Sequence, residues 1–196
     1  RYDGIMIKSY SICPQAAGKY ISSLYGTKKN IWIGTDEGIY IYAYATETFT
    51  YFDLTTPNNV RITSIVNHIL QDKDGNLWFS TNGQGLFRYN LSKNYLEQYE
   101  FTSAFGIVAS TMADSDNQIW ALTNQGESGV YKLNKAENKF ETFPLSYESG
   151  KHDSNALVML EDSEHTLWLG TWECGLQKID KYSGKATTYL HPTDGK

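Results

Sequence analysis

The chain has 196 residues, of which 40 % are hydrophobic and 20 % charged, a composition that supports a packed core and excludes a disordered segment. A formal charge of −5 with a single basic doublet, Lys28-Lys29, excludes a phosphate-binding surface, so no nucleic-acid partner is expected. The uninterrupted apolar runs, such as Ala156–Leu160, are far shorter than the roughly 18 residues of a membrane helix, and no cleavable leader pattern opens the sequence, so membrane contact is expected only through segments outside this chain.

Four tryptophan-centred strings recur along the chain: Ile31-Trp-Ile-Gly-Thr35, Leu77-Trp-Phe-Ser-Thr81, Ile119-Trp-Ala-Leu-Thr123 and Leu167-Trp-Leu-Gly-Thr171. Each is followed by a glycine (Gly38, Gly85, Gly129, Gly175) that opens another apolar run, and successive tryptophans fall 46, 42 and 48 residues apart. A period of roughly 40 to 50 residues is the length of four short strands and their turns in one propeller blade. The fold class predicted is all-β, a β-propeller fragment of about four complete four-stranded antiparallel blades and a partial one.

In chain order, residues 1–15 read as the end of a preceding blade, because Arg1–Tyr10 looks like a third-strand end, a turn and a fourth strand. Blades follow at 16–56, 57–103, 104–147 and 148–191, and 192–196 begins a connection to a next blade. The second unit shows the pattern best. Ile65–Leu70 is an innermost strand, Asp72-Lys-Asp-Gly-Asn76 carries the Asx and Gly residues of a tight hairpin, and Leu77–Thr81 is the second strand. Leu86–Tyr89 and Tyr95–Phe101 complete the blade. The second strands are apolar at consecutive positions, which requires burial on both faces. Trp32, Trp78, Trp120 and Trp168 are accordingly placed in the core between blades, and the residue two after each (Gly34, Ser80, Leu122, Gly170) marks a tightly packed strand end.

Asp72-Lys-Asp-Gly-Asn76 begins like a calcium loop, but its twelfth position is Gly83 instead of a bidentate Glu. Turn chemistry explains the same residues, and no metal or cofactor is expected. Cys13 and Cys174 lie in different repeats without a CxxC or His-rich context, so their state is open. Adjacent acids such as Asp36-Glu37 and Glu161-Asp162 point apart and lack the separation of a general acid/base pair. His152-Asp153 and the serines carry no nucleophile motif.

Trp172 breaks the frame, because it is the fifth tryptophan and sits in the loop after a second strand. The equivalent loops carry polar residues, and in a propeller they emerge on the face where blades are linked. The candidate ligand-binding set is therefore Trp172, Glu173, Asp36, Glu37, Asn82, Gln84, Asn124 and Gln125. Flat rings beside amides and acids suit stacking on sugar C–H faces and hydrogen bonds to hydroxyls. The alternative is that Trp172 packs on a neighbouring blade.

The element Asp72-x-Asp-Gly-Asn-Leu-Trp-x-x-Thr81, followed by Gly85-Leu-Phe-Arg-Tyr-Asn90 and echoed at Asp114–Thr123 and Asp162–Thr171, resembles the two-component regulator propeller repeats of extracytoplasmic sensor regions in Bacteroides-type hybrid histidine kinases. The resemblance spans nearly the whole chain, with departures at Gly26 for Asp, Leu122 for Gly or Ser, and Glu164-His165-Thr166 in the last hairpin. It implies a periplasmic sensor portion of an inner-membrane protein, with the kinase and transcriptional output outside this chain. It also implies an oligosaccharide ligand, further blades in a parent protein, and a dimer of that parent. None of His68, His152, His165 and His191 lies in a helical phosphoacceptor context. On this reading the chain is expected not to be an enzyme. One alternative is a lyase similar to streptogramin-inactivating propellers, whose loop His and Glu around magnesium find no clear counterpart here. The other is a pure protein-interaction scaffold.

Overall fold

A computed structural model describes residues 19–101, 106–124, 129–147, 155–172 and 174–189. The expected partial blade at 1–15, Cys13 and the connection at 192–196 lie outside these residues.

The described chain forms four sheets whose strands run antiparallel in sequence order. Blade I contains β1 (Ile21–Gly26), β2 (Asn30–Thr35), β3 (Gly38–Ala43) and β4 (Thr48–Tyr51). Blade II contains β5 (Val66–Gln71), β6 (Leu77–Thr81), β7 (Leu86–Asn90) and β8 (Tyr95–Tyr99). Blade III contains β9 (Val108–Ala113), β10 (Ile119–Thr123), β11 (Gly129–Asn134) and β12 (Lys139–Thr142). Blade IV contains β14 (Ala156–Glu161), β15 (Leu167–Thr171), β16 (Leu176–Ile179) and β17 (Lys185–Tyr189), with a two-residue strand, β13 (Ser146–Tyr147), pairing in parallel with β17. That fifth strand is an addition to the predicted blade. The inner strands β1, β5, β9 and β14 lie side by side in succession, which is the arrangement of a partial β-propeller.

The first hairpins of blades II, III and IV are each built on one aspartate side chain. In blade II the Asp72 carboxylate accepts from the Asn76 backbone N–H (2.8 Å), the Asn76 amide (2.9 Å) and Trp78 Nε1 (2.8 Å). Both of its oxygens are committed to the turn and the ring. Asp114 and Asp162 repeat the arrangement with Trp120 Nε1 (3.0 Å) and Trp168 Nε1 (2.6 Å). Blade I carries Gly26 at this place, and Trp32 Nε1 is buried without a hydrogen-bond partner.

A second repeated device closes the other end of the blade. The hydroxyls of Thr35, Thr81 and Thr171 donate to the carbonyls of Gly38 (3.0 Å), Gly85 (2.6 Å) and Gly175 (2.8 Å). Gly85 has φ +76°, and a Cβ there would stand 2.3 Å from the Tyr99 carbonyl oxygen, so no other residue fits this turn. Gly34 is equally constrained by contact, since an added Cβ would meet Val66 Cβ at 2.9 Å.

Strands β6 and β10 are buried at every residue, as their consecutive apolar side chains require. Trp32 is 3 % exposed and Trp78 and Trp120 are each 1 % exposed. Each fills the seam with the next blade: Trp32 with Val66, Leu77 and Phe79, Trp78 with Val108 and Ile119, Trp120 with Ala156 and Leu167. Trp168 is only half-buried. Its face of blade IV exposes Val158, Leu160 and Tyr189, whereas the corresponding faces of the first three blades are covered by their successors. All four inner strands carry a register shift at the same place, between Ile21 and Ser23, Val66 and His68, opposite Leu122 and Thr123, and between Ala156 and Val158. The bulge turns Ser22 and Asn67 across the seam, where they donate to the Val66 carbonyl (2.8 Å) and the Val108 carbonyl (2.9 Å).

Replacing Asp72 by Ala strands a buried indole N–H and a buried turn amide together. The expected loss is on the order of 3 kcal/mol in a urea unfolding experiment, against under about 1 kcal/mol for Asp74→Ala on the exposed hairpin tip.

Candidate functional site

The turns from second to third strands sit beside the residues that lead into the inner strands. The backbone N–H groups of Asp36, Asn82 and Trp172 donate to the carbonyls of Tyr20 (3.1 Å), Ile65 (2.9 Å) and Asn155 (3.0 Å). Asp36, Asn82 and Trp172 thus occupy an equivalent place on this face, and Asn124 of blade III stands at the same offset, four residues after its tryptophan.

Their environments differ. Asp36 and Asn124 are half-buried, and the Oδ1 of each is shielded from solvent with no hydrogen-bond partner. Asn82 is exposed. Trp172 is 70 % exposed, so it does not pack on a neighbouring blade among the described residues. Glu37 is exposed and paired with Lys19. Gln84 is occupied structurally: its Oε1 accepts from the Thr63 N–H (2.8 Å) and the Ser64 N–H (3.0 Å), and its Nε2 donates to the Arg61 carbonyl (2.9 Å). It binds the linker between blades I and II. Gln125 and Glu173 lie outside the described residues.

Two further residues belong to this face. Tyr20, 67 % exposed, immediately precedes β1, and Ser64, in the linker held by Gln84, has a buried hydroxyl without a partner. No repeat offset marks either residue, although Tyr20 aligns with Asn155 through the shared backbone bond. The face therefore offers two exposed aromatic planes, unpaired buried oxygens from an acid and an amide, and a hydroxyl. Such a set can stack on an apolar ring face and exchange hydrogen bonds with a polyhydroxylated molecule.

On the opposite side, where the first hairpins lie, the seams of blade III with its two neighbours are closely paired among the described residues. Lys181 is 5 % exposed and reaches Asp116 (2.8 Å), Glu161 (2.9 Å) and Asp114 (3.8 Å) across the seam between blades III and IV. Glu161 also accepts from the Ser115 N–H (2.5 Å) and hydroxyl (2.9 Å). Asn117 accepts from the Lys73 N–H (2.9 Å) and donates to Asp74 (2.9 Å), tying blade II to blade III. Burial works against the charge of Lys181, but its bonds to Asp116 and Glu161 outweigh this and hold its pKa above the ordinary lysine value. Burial likewise pushes Glu161 up, and the bonds from Lys181 and Ser115 prevail and leave it below the usual carboxylate range. The Lys181 hydrogen bond and charge hold Asp116 below that range too. Burial lowers the pKa of His68 on β5, partly offset by a bond with the Thr111 backbone.

The family model described as two component regulator propeller matches residues 59–83, from the linker ahead of β5 to the turn after β6. No curated protein sequence matches the chain. The extracellular domains of two hybrid two-component systems from B. thetaiotaomicron superpose at TM-scores of 0.72 and 0.69 with 20 % identity each, over 89 % and 88 % of this chain and 25 % of each of theirs. A catalytically inactive virginiamycin B lyase from Staphylococcus aureus, solved with quinupristin, superposes at a TM-score of 0.69 with 18 % identity, over 90 % of this chain and 57 % of its own. The chain thus spans about a quarter of the sensor domains and little more than half of the lyase. These likenesses establish the propeller fold. They also correct the expectation that the chain is not an enzyme: a lyase shares this fold at the same level of similarity, so the lack of a paired acid and base in the sequence does not remove catalysis. Among the described residues no helix is long and apolar enough to cross a membrane.

Carboxylates whose native pKa lies below the unfolded value contribute stability that is complete above about pH 5 and is lost as the pH falls through the native values; the Lys181 contribution is complete at neutral pH and is lost only as the pH rises through its raised native value. Lys181→Met leaves Asp114, Asp116 and Glu161 clustered without their cation. Its destabilisation in thermal melts is expected to be largest at neutral pH and to shrink toward about pH 4, where the carboxylates protonate.

Proposed function

We propose that this chain is part of the extracytoplasmic ligand-recognising propeller of a hybrid two-component regulator, with an oligosaccharide held on the face of Asp36, Asn124, Tyr20 and Trp172. The observation that carries the reading is the exposed Trp172 ring on the face where Asp36 and Asn124 keep unpartnered oxygens. The family match at 59–83 and the superposition on sensor ectodomains support it. Signal relay to a kinase, a periplasmic location, further blades and dimer formation belong to the parent protein in this proposal.

The superposition on virginiamycin B lyase favours a second reading, in which the same face holds quinupristin. Calorimetric titration with a panel of neutral oligosaccharides separates the two when run beside an incubation with quinupristin followed by mass spectrometry. Binding of an oligosaccharide, weakened by roughly tenfold or more in Trp172→Ala as expected for loss of a stacking ring, is the result expected. Turnover of quinupristin would replace sensing by the lyase reading, and unaltered affinity in Trp172→Ala would remove the ring from the site.

A further inference from the structure

The seams between blades I and II and between blades II and III each open into a crevice lined by equivalent residues. In the second, Asn76, Trp78, Arg88 and Asn138 enclose about 160 Å³. In the first, the matching residues are Asn30, Trp32, Ile41 and Asn94, and the volume is about 440 Å³. Strand register defines the equivalence, because Trp78 stands opposite Arg88 and Trp32 opposite Ile41.

Two substitutions accompany the enlargement. Where Asp72 stands at the rim of the smaller crevice and accepts from Trp78 Nε1, blade I has Gly26; an added Cβ at Gly26 would meet nothing closer than Tyr44 Oη at 3.9 Å. Arg88 lies over the Trp78 ring, and Lys132 and Lys178 lie over Trp120 and Trp168, whereas Ile41 supplies no cation to Trp32. Trp32 alone among the four repeated tryptophans keeps its indole N–H buried and without an acceptor, in a residue only 3 % exposed. An unpaired buried donor of this kind costs on the order of the full desolvation of the group, and an acceptor brought from outside recovers it.

We propose that the crevice between blades I and II is a ligand-binding site for a neutral polyhydroxylated molecule about the size of one or two sugar rings, whose oxygen takes the place of the absent carboxylate on Trp32 Nε1. Its chemistry is mixed and uncharged overall. Asp53 is already neutralised by Arg61 at 2.7 Å. The Tyr89 hydroxyl donates to Asn94 Oδ1 at 2.9 Å, which leaves the Asn94 amide hydrogens as donors. Phe52 and Tyr89 pack their rings against Trp32 and give the crevice aromatic walls. Hydroxyl groups, which both donate and accept, match such a lining better than a single fixed charge. This site is separate from the face that carries Trp172 and does not depend on the reading given to that face.

The test uses the whole chain labelled with ¹⁵N, in which each tryptophan gives its own indole N–H resonance and Trp32→Phe identifies the one from residue 32. Glucose, galactose, mannose, xylose and their disaccharides are titrated, with sodium acetate as the anionic comparison. At least one sugar is expected to shift the Trp32 resonance in a saturable way. The shift is expected to persist in Trp172→Ala, to weaken severalfold in Asn30→Ala, and to vanish in Gly26→Asp, where the restored carboxylate pairs with the indole. A Trp32 resonance unmoved by every sugar, one moved only by acetate, or a sugar-induced shift that survives Gly26→Asp would each overturn the proposal.

Discussion

The hydrogen bond from a hairpin carboxylate to an indole N–H six residues later is the interaction on which the rest of the molecule depends. One Asp side chain closes the turn between the first and second strands, satisfies its amides and fixes the rotation of the Trp ring. The ring so held fills the seam with the following blade, and blade spacing follows from it. A buried polar group satisfied within its own repeat adds orientation to the packing, its desolvation cost offset by the hydrogen bonds it accepts. Blade I shows the consequence of omitting it, since Gly26 leaves the ring in place by packing alone with its polar edge unsatisfied.

The two ends of the blades have been put to different physical use. On the hairpin side every described carboxylate of the III–IV seam has a lysine, a hydroxyl or an amide, and the contacts run from blade to blade. On the opposite side the threonine hydroxyls fix the turns, yet side-chain oxygens of Asp36, Asn124 and Ser64 remain unsatisfied. Rigid, satisfied structure at the seams of blade III and unspent hydrogen-bonding capacity on the opposite face is the usual division between scaffold and recognition surface.

Much of the fold was legible because the repeat carries its own turn chemistry. The strings around Trp32, Trp78, Trp120 and Trp168 mark the second strands, and the Asx-Gly hairpin and the glycine after each threonine mark the turns on either side. That Trp172 is surplus to the repeat was legible too, but the sequence left open whether it packs on a neighbouring blade, and only the fold shows it exposed. Other features were not legible. Gln84 looks like a surface amide in sequence, but it is consumed by backbone groups of a linker twenty residues earlier. The Lys181 cluster joins positions 114, 116, 161 and 181, a contact set by how two blades stack and by no local spacing. Gly26 was visible as a departure, but only the orphaned indole shows what it removed.

The two residues of β13 have a consequence out of proportion to their number. Outer strands of propeller blades present open rows of N–H and C=O groups, templates on which another chain can add a strand. In blade IV the start of that row is already met, because the segment arriving from blade III lies parallel to the first residues of β17, with the Ser146 N–H on the Gly184 carbonyl at 2.9 Å. A Cβ at Gly184 would come within 2.1 Å of the Pro144 carbonyl oxygen, so the strap is drawn tight against the turn it covers. The incoming connection thereby acts as a selvedge on blade IV, blocking part of its rim from strand-to-strand aggregation while blade IV is still exposed to other chains.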